Sequence, residues 1–398
     1  MCVILNSMNR PLIITIGIVV ILLVLGVWVY LMLFGTPEES DDVFSNLGFE
    51  FNSQGTTIAP PANTTPLDSL VDTQSSEKLR QLTTRPVAGF AFASTSVGDT
   101  IRYVERGTGH VYEINLESGE EEILSRTTIP QVSSAVFSPG ASTIAFTSYN
   151  NYQSDVFVGT IGEETNIVGI TLQPNAQNIA FSSDSEILYS VAQGNSTTGY
   201  RHDIQTFAQT EVFSFNYTNL DVAWGGNLTD VYLSTKPAHD FEGFIYRTQN
   251  DILTPATFSA YGLSALIADH SMITTYIANG SYTSAVVTRD GNFNTLPILA
   301  MKEKCVFDAF STSYAWCAAP LETGSPTFVE DWYKGTMTSE DYLWLVDTNS
   351  QSAQLYANPT DLAGRAIDIK DIAVNAQGNM LSFTNKIDQT LWVFDLVK

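Results

Sequence analysis

Basic side chains are scarce in this chain. It has 18 Lys and Arg residues against 42 Asp and Glu, which gives a formal net charge of −24 at pH 7. A field of this sign repels phosphate backbones, so we expect no nucleic acid among its partners. The same charge keeps a domain soluble and favours cationic ligands or basic partners, although protection from aggregation explains it equally well.

Cysteine and histidine are also scarce. The three Cys residues contain no C-x-x-C pair and the four His residues are scattered, so we expect no metal and no cofactor. Cys305 and Cys317 flank a hairpin centred near Ser311, where they would be cross-strand neighbours. In an oxidising exterior they would form a disulfide, and two small buried thiols are the other interpretation.

One long apolar run is present, at residues 12–34, LIITIGIVVILLVLGVWVYLMLF. It carries no charge and exceeds the roughly 20 residues that a helix needs to cross the hydrocarbon core. A cleaved signal peptide would have a shorter apolar region and a small-residue cleavage site. We therefore predict a single-pass anchor, with residues 1–11 in the cytoplasm and the remainder outside it.

The next segment, residues 35–77, is rich in Ser, Thr, Pro, Asn and acidic residues. Its composition cannot bury enough apolar area to offset the entropy of ordering. We predict a flexible acidic linker that separates the membrane from a folded domain at 78–398.

Short β-branched and aromatic runs dominate residues 78–398, and they recur at a regular spacing. The clearest unit is SAVFSPGASTIAFTS (134–148) followed by SDVFVGTI (154–161). A period of roughly 45 residues lies in the range of propeller blades. The fold class predicted is all-β, a seven-bladed β-propeller, with eight blades left open as the alternative.

The final unit ends after three strands, whereas most others have four. An extra strand-like run, KLRQLTT (78–84), precedes the first unit. We expect it to complete the last blade, because a ring closed in this way leaves no exposed sheet edge.

The unit at 134–161 resembles the WD40-like PD40 repeat of TolB and of prolyl-oligopeptidase-type propellers. The matching residues are Phe137, Ser138, Pro139, Gly140, Ile144, Ala145 and Phe146. The Asp of the family's turn is missing, because Gly140 follows Pro139 directly. The resemblance implies a propeller fold and does not imply the peptidase activity, because the chain has no G-x-S-x-G elbow.

Two groups of residues are candidates for function. Asp221, Asp269, Asp308 and Asp371 lie in or beside the first strands of their units, which line the channel of a propeller. Carboxylates there would support acid–base chemistry or bind a cation, although facing channel water or capping turns is the simpler interpretation.

The second group lies on loops. Segments 192–199, 236–243 and 322–341 are expected to be long loops on one face of the propeller. Phe328, Trp332 and Tyr333 in the last of them either form a recognition surface or fold back over the channel mouth.

These features favour a binding or scaffold module for a protein or a cell-envelope polymer. The alternative is a hydrolase or lyase that uses the channel carboxylates on a glycan or peptide. A third interpretation is an accessory subunit of a membrane complex.

Overall fold

Seven four-stranded antiparallel sheets form a β-propeller in the computed structural model. The described residues are 78–95, 98–150, 153–162, 165–218, 220–225, 230–249, 252–268, 271–288, 291–323 and 325–397. The predicted anchor at 12–34 and linker at 35–77 lie outside them. No helix within the described ranges has the length and apolar composition needed to cross a membrane.

Each blade has four strands, which are numbered here in chain order. The first strands of blades 1 to 7 are β2 (Val87–Thr95), β6 (Val132–Phe137), β10 (Ala176–Ser183), β14 (Leu220–Trp224), β20 (Ser264–Ile267), β24 (Cys305–Phe307) and β28 (Ile369–Val374). The second strands are β3 (Gly98–Glu105), β7 (Thr143–Asn150), β11 (Glu186–Gln193), β15 (Val231–Thr235), β21 (Ser271–Ala278), β25 (Tyr314–Ala319) and β29 (Met380–Asn385).

The outer strands complete the blades. The third strands are β4 (Val111–Asn115), β8 (Gln153–Ile161), β12 (Ser196–Asp203), β17 (Ile245–Gln249), β22 (Ser281–Thr288), β26 (Tyr342–Asp347) and β30 (Leu391–Asp395). The fourth strands are β5 (Glu121–Ser125), β9 (Ile167–Thr171), β13 (Gln209–Phe215), β18 (Ile252–Pro255), β23 (Phe293–Leu296), β27 (Ser352–Ala357) and β1 (Leu79–Gln81).

A few short elements lie outside the blades. β16 (Glu242–Gly243) pairs with β19 (Ala260–Tyr261). Two short helices are α1 (Phe328–Lys334) and α2 (Pro359–Ala363), and a 3-10 turn (Lys302–Lys304) precedes β24.

The fourth strand of blade 7 comes from the other end of the domain. β1 runs antiparallel to β30, with Leu79 opposite Phe394 and Gln81 opposite Trp392. Leu79 is fully buried in a cluster that also contains Trp316 of blade 6. A blade built from strands of both ends of the domain leaves no gap in the ring.

The core is divided among the seven junctions between neighbouring blades, each of which has its own apolar cluster. Second and third strands lie in the middle of a blade and are covered on both faces. Most of β21 is therefore buried, whereas the fourth strand β5 has a single buried residue. First strands of neighbouring blades contact one another, as β2 does with β6 and β28, so they surround the central axis.

Tight turns join many of the strands. Asn279 and Gly280 both have positive φ and connect β21 to β22, which is the two-residue hairpin that this dipeptide favours. Segment 192–199 was expected to be a long loop, and that expectation is wrong. The chain reverses at Gly194 and Asn195, because Ser196 to Gly199 continue pairing as part of β12.

Candidate functional site

Two of the three aromatic rings predicted as candidates in the loop between β25 and β26 are buried. Its helix α1 has apolar side chains at 328, 329 and 332, spaced to share one side of a helix. Phe328 and Trp332 are buried, against Leu299 and Met301 among others. Of the two alternatives predicted for this loop, the burial of Phe328 and Trp332 favours the one in which the rings fold back onto the domain, and their contact with a partner stays a prediction. Tyr333 remains 38% exposed.

A buried ion network fixes this loop. The Lys304 ammonium lies 2.5 Å from carboxylate oxygens of both Asp341 and Asp368, and all three side chains are fully buried. Lys304 also donates to the Ser339 hydroxyl at 2.9 Å, and Trp332 Nε1 donates to Asp368 at 2.9 Å. Buried charges require paired and hydrogen-bonded partners, so the network couples the loop to blades 6 and 7.

A second ammonium group holds the other side of the loop. Lys386, which follows β29, donates to the backbone carbonyls of Trp332 at 2.8 Å and Met337 at 2.9 Å. Its nitrogen lies 4.4 Å from the centre of the Trp332 ring. Burial lowers the pKa of Lys386; Asp368 opposes this shift, and Lys304 adds to it.

The loop shapes the mouth of the central channel. A cavity of about 580 Å³ opens there between blades 1, 6 and 7. Its lining is Arg106, Glu303, Trp332, Tyr333, Gly335, Thr338, Lys370, Asp371, Lys386, Ile387 and Gln389. A second cavity of about 360 Å³ lies along β2, β6 and β28, and both cavities are lined by Arg106, Lys370 and Asp371. We call the first cavity the mouth cavity and the second the channel cavity.

A polar chain crosses the mouth from blade 4 to α1. Lys302 Nζ lies 2.8 Å from Asp221 Oδ2 and 3.8 Å from Glu303 Oε1, and the Tyr333 hydroxyl donates to Glu303 Oε2 at 2.6 Å. The Lys302 and Glu303 side chains keep only about a quarter of their surface exposed.

The environment shifts the acidities of these groups. Burial raises the pKa of Glu303, and Lys302 and Tyr333 oppose that shift. Burial and the neighbouring Glu303 raise the pKa of Tyr333 well above its usual value. For Lys302, burial lowers the pKa but the carboxylates of Glu303 and Asp221 outweigh it, so the pKa is raised.

Among the described residues, the predicted channel acids Asp221 and Asp308 lie at opposite ends of the channel. Asp221 lies near the beginning of β14 and is paired with Lys302, whereas Asp308 follows the end of β24, at the opposite end of the channel. Asp308 accepts a hydrogen bond from the backbone N–H of Phe310 at 3.0 Å, which is a turn-capping role. Asp371 reaches the mouth cavity, and Asp269 lies outside the described residues.

The two cysteines that were predicted to be cross-strand neighbours form a disulfide bond. Cys305 and Cys317 face each other in β24 and β25 and are joined by a disulfide. Because β24 is only three residues long, this link fixes the strand that directly follows Lys302–Lys304.

Residues Lys302, Glu303, Arg106, Lys370 and Lys386 were not identified from sequence. A usable signal existed for two of them, since the basic-acidic-basic triplet at 302–304 directly precedes a cysteine in a chain poor in basic residues. Within the described ranges, no three His, Cys, Asp or Glu side chains are grouped as a metal site.

Comparison with known proteins identifies the fold alone. No protein-family model and no curated protein matches the chain. An oligogalacturonate lyase from Vibrio parahaemolyticus is 13% identical with a TM-score of 0.56, over 81% of this chain and 94% of that one. The β-propeller domain of the Trilobed protease from Pyrococcus furiosus is 10% identical with a TM-score of 0.50, over 78% and 96%.

TolB from Acinetobacter baumannii is 12% identical with a TM-score of 0.42, over 76% of this chain and 78% of that one. The PD40-type identity of the repeats therefore stays a prediction. The Pyrococcus domain is described as having an open velcro topology. In the present chain, β1 pairs with β30 within blade 7.

Proposed function

We propose that this protein is a binding module whose partner, a protein or an envelope polymer, docks at the mouth of the propeller channel. The observation that carries the proposal is the mouth cavity of about 580 Å³, bordered by the half-exposed Tyr333. Concave sites with a few placed polar groups are the usual ligand sites of proteins. The ion network of Lys304 supports this role, because it holds α1 and Tyr333 in place before any ligand arrives.

We also propose that residues 12–34 anchor the propeller to a membrane, with the domain on the outer side. The apolar length of this run supports the anchor. The disulfide between Cys305 and Cys317 supports the outer side, because such bonds persist in oxidising compartments. Protease added to intact cells should digest the propeller, and complete protection in cells whose outer layers have been permeabilised would contradict this orientation.

The binding function is tested by mild crosslinking and capture with the full-length chain in detergent micelles. Tyr333→Ala should lose a captured partner that the wild type retains. Phe207→Ala is the matched control, because Phe207 is 65% exposed on the opposite face of the propeller. A partner captured equally by all three chains would place the docking site elsewhere.

A second function is supported by Glu303. A carboxyl group whose pKa is raised by burial can exchange protons nearer neutral pH, as general acids and bases must. Its contact with Tyr333 and its place in the mouth cavity fit a hydrolase or lyase, and one structural neighbour is described as an oligogalacturonate lyase. Cleavage of oligogalacturonate or a peptide that is abolished in Glu303→Gln would favour the enzyme over the binding module.

A further inference from the structure

Basic side chains are concentrated at one place in this acidic protein. Arg106, Lys370 and Lys386 all line the mouth cavity, where Glu303 and Asp371 are the two acidic lining residues. The cavity therefore has more basic than acidic groups, although the whole chain has 18 basic and 42 acidic side chains. A local reversal of charge inside a concave site attracts a ligand of the opposite sign.

The charges of Arg106 and Lys386 are not neutralised by ion pairs within the described part of the chain. Arg106 donates to the carboxamide oxygen of Gln389 at 2.7 Å, and its guanidinium, which has five N–H groups, has no other side-chain or backbone acceptor among the described residues. Lys386 donates to the two carbonyl groups of the α1 loop. Lys370 has a carboxylate partner, Asp371, at 2.9 Å, and this pair is partly exposed.

The channel cavity continues from this basic site along strand edges. β2 pairs with β3 and β6 with β7, and no other strand pairs with β2 or β6 among the described residues. The inner edges of β2 and β6 therefore have backbone N–H and C=O groups without a strand partner beside the channel cavity. Such edges bind extended peptides through main-chain hydrogen bonds.

We propose that the mouth cavity binds carboxylate groups of an acidic peptide segment, with Arg106 and Lys370 as the recognising cations. The guanidinium of Arg106 matches a carboxylate in a two-pronged geometry, and Lys370 contributes a point charge. The main chain of the segment extends into the channel cavity beside β2 and β6. This inference rests on the proposed binding function and specifies the chemistry of the partner.

The test measures binding of a fluorescent octaglutamate peptide with an amidated carboxyl end to the full-length chain in detergent micelles. At 0.15 M salt the Debye length is about 8 Å, so the net negative charge of the distant surface is largely screened. Octaglutamate should bind and octaglutamine should not. Arg106→Gln and Lys370→Gln should each weaken binding about tenfold, the scale of one charge-assisted contact.

Arg201→Gln is the matched control, because Arg201 is a partly exposed residue of blade 3, 3.7 Å from Glu186. It should leave the affinity unchanged. Melting curves identify any variant that fails to fold. Arg106→Gln and Lys370→Gln test the inference independently of each other.

Any of three results of the peptide-binding assay would overturn the inference. Octaglutamate fails to bind; the control weakens binding as much as the mouth variants do; or oligogalacturonate, and not octaglutamate, binds in a manner sensitive to Arg106→Gln. A natural partner whose capture needs Tyr333 but not Arg106 or Lys370 would retain the binding function and reject the acidic peptide.

Discussion

Replacing Lys304 with methionine removes the cation of the buried ion network and keeps most of the side-chain volume. Asp341 and Asp368 would then lie together, fully buried, without the ammonium group that contacts both at 2.5 Å. Removal of one partner from a buried ion pair costs about 3–5 kcal/mol, because the remaining charge stays out of water.

This loss of unfolding free energy can be converted into a change in melting temperature. An unfolding entropy of about 2.1 cal/mol/K per residue gives about 0.7 kcal/mol/K for a domain of this size. Lys304→Met should therefore lower the Tm by about 4–7 °C in calorimetry of the full-length chain. Lys334→Met is the control. It removes an ion pair at 3.2 Å between the exposed Lys334 and Glu330, and it should change the free energy of unfolding by less than about 0.5 kcal/mol.

The pH dependence gives an independent check. Burial raises the pKa of Asp341 already in the wild type, and loss of the Lys304 cation raises the folded-state pKa of Asp341 further. The free energy lost in Lys304→Met is therefore present in full above the folded-state pKa of Asp341, and it decreases as the pH falls and the Asp341 carboxyl is protonated. A Tm within 1 °C of wild type at pH 8, or a loss that grows on acidification, would refute this account.

Three further predictions concern the ring, the disulfide and the mouth. A chain that begins at residue 86 lacks β1 and the buried Leu79, and it should melt well below one that begins at residue 75; equal melting would contradict closure by β1. Replacing Cys305 and Cys317 together by serine should cost about 2–3 kcal/mol in urea unfolding, as expected for a short closed loop, and an unchanged midpoint would contradict a stabilising bond. Because the pKa of Glu303 is raised in the folded state, its contribution to stability is present at low pH and is lost as the pH rises through the folded-state pKa. The Tm of Glu303→Gln should therefore rise relative to that of the wild type between pH 4 and pH 8. The opposite trend would show that the folded state favours the ionised form of Glu303.

Much of the architecture is encoded locally. The runs at 134–148 and 154–161 became β6, β7 and β8, because alternating and β-branched residues fit a pleated surface wherever it is packed. The blade count followed from the spacing of such runs. The place of β1 could be predicted because the last unit lacks a fourth strand, and the run at 78–84 was the strand-like segment left to complete it.

The loop at 322–341 shows where local patterns stop being informative. α1 has seven residues, too few for a helical period to be distinguished from chance. Whether Trp332 faces solvent or the core depends on Asp368 and Lys386, which approach it from blade 7. A large ring in a polar segment carries no sign of such distant partners.

The sequence by itself determined an all-β repeating domain, a spare first strand, an apolar run at 12–34 and a strongly acidic charge. These are properties of short segments or of the chain as a sum. Only the tertiary structure decided the site, because closing the ring brings blade 1 beside blade 7, so that Arg106 contacts Gln389 across 283 residues. Side chains that meet only through ring closure have no common local sequence pattern. The fold therefore decides the net charge of the group that they form.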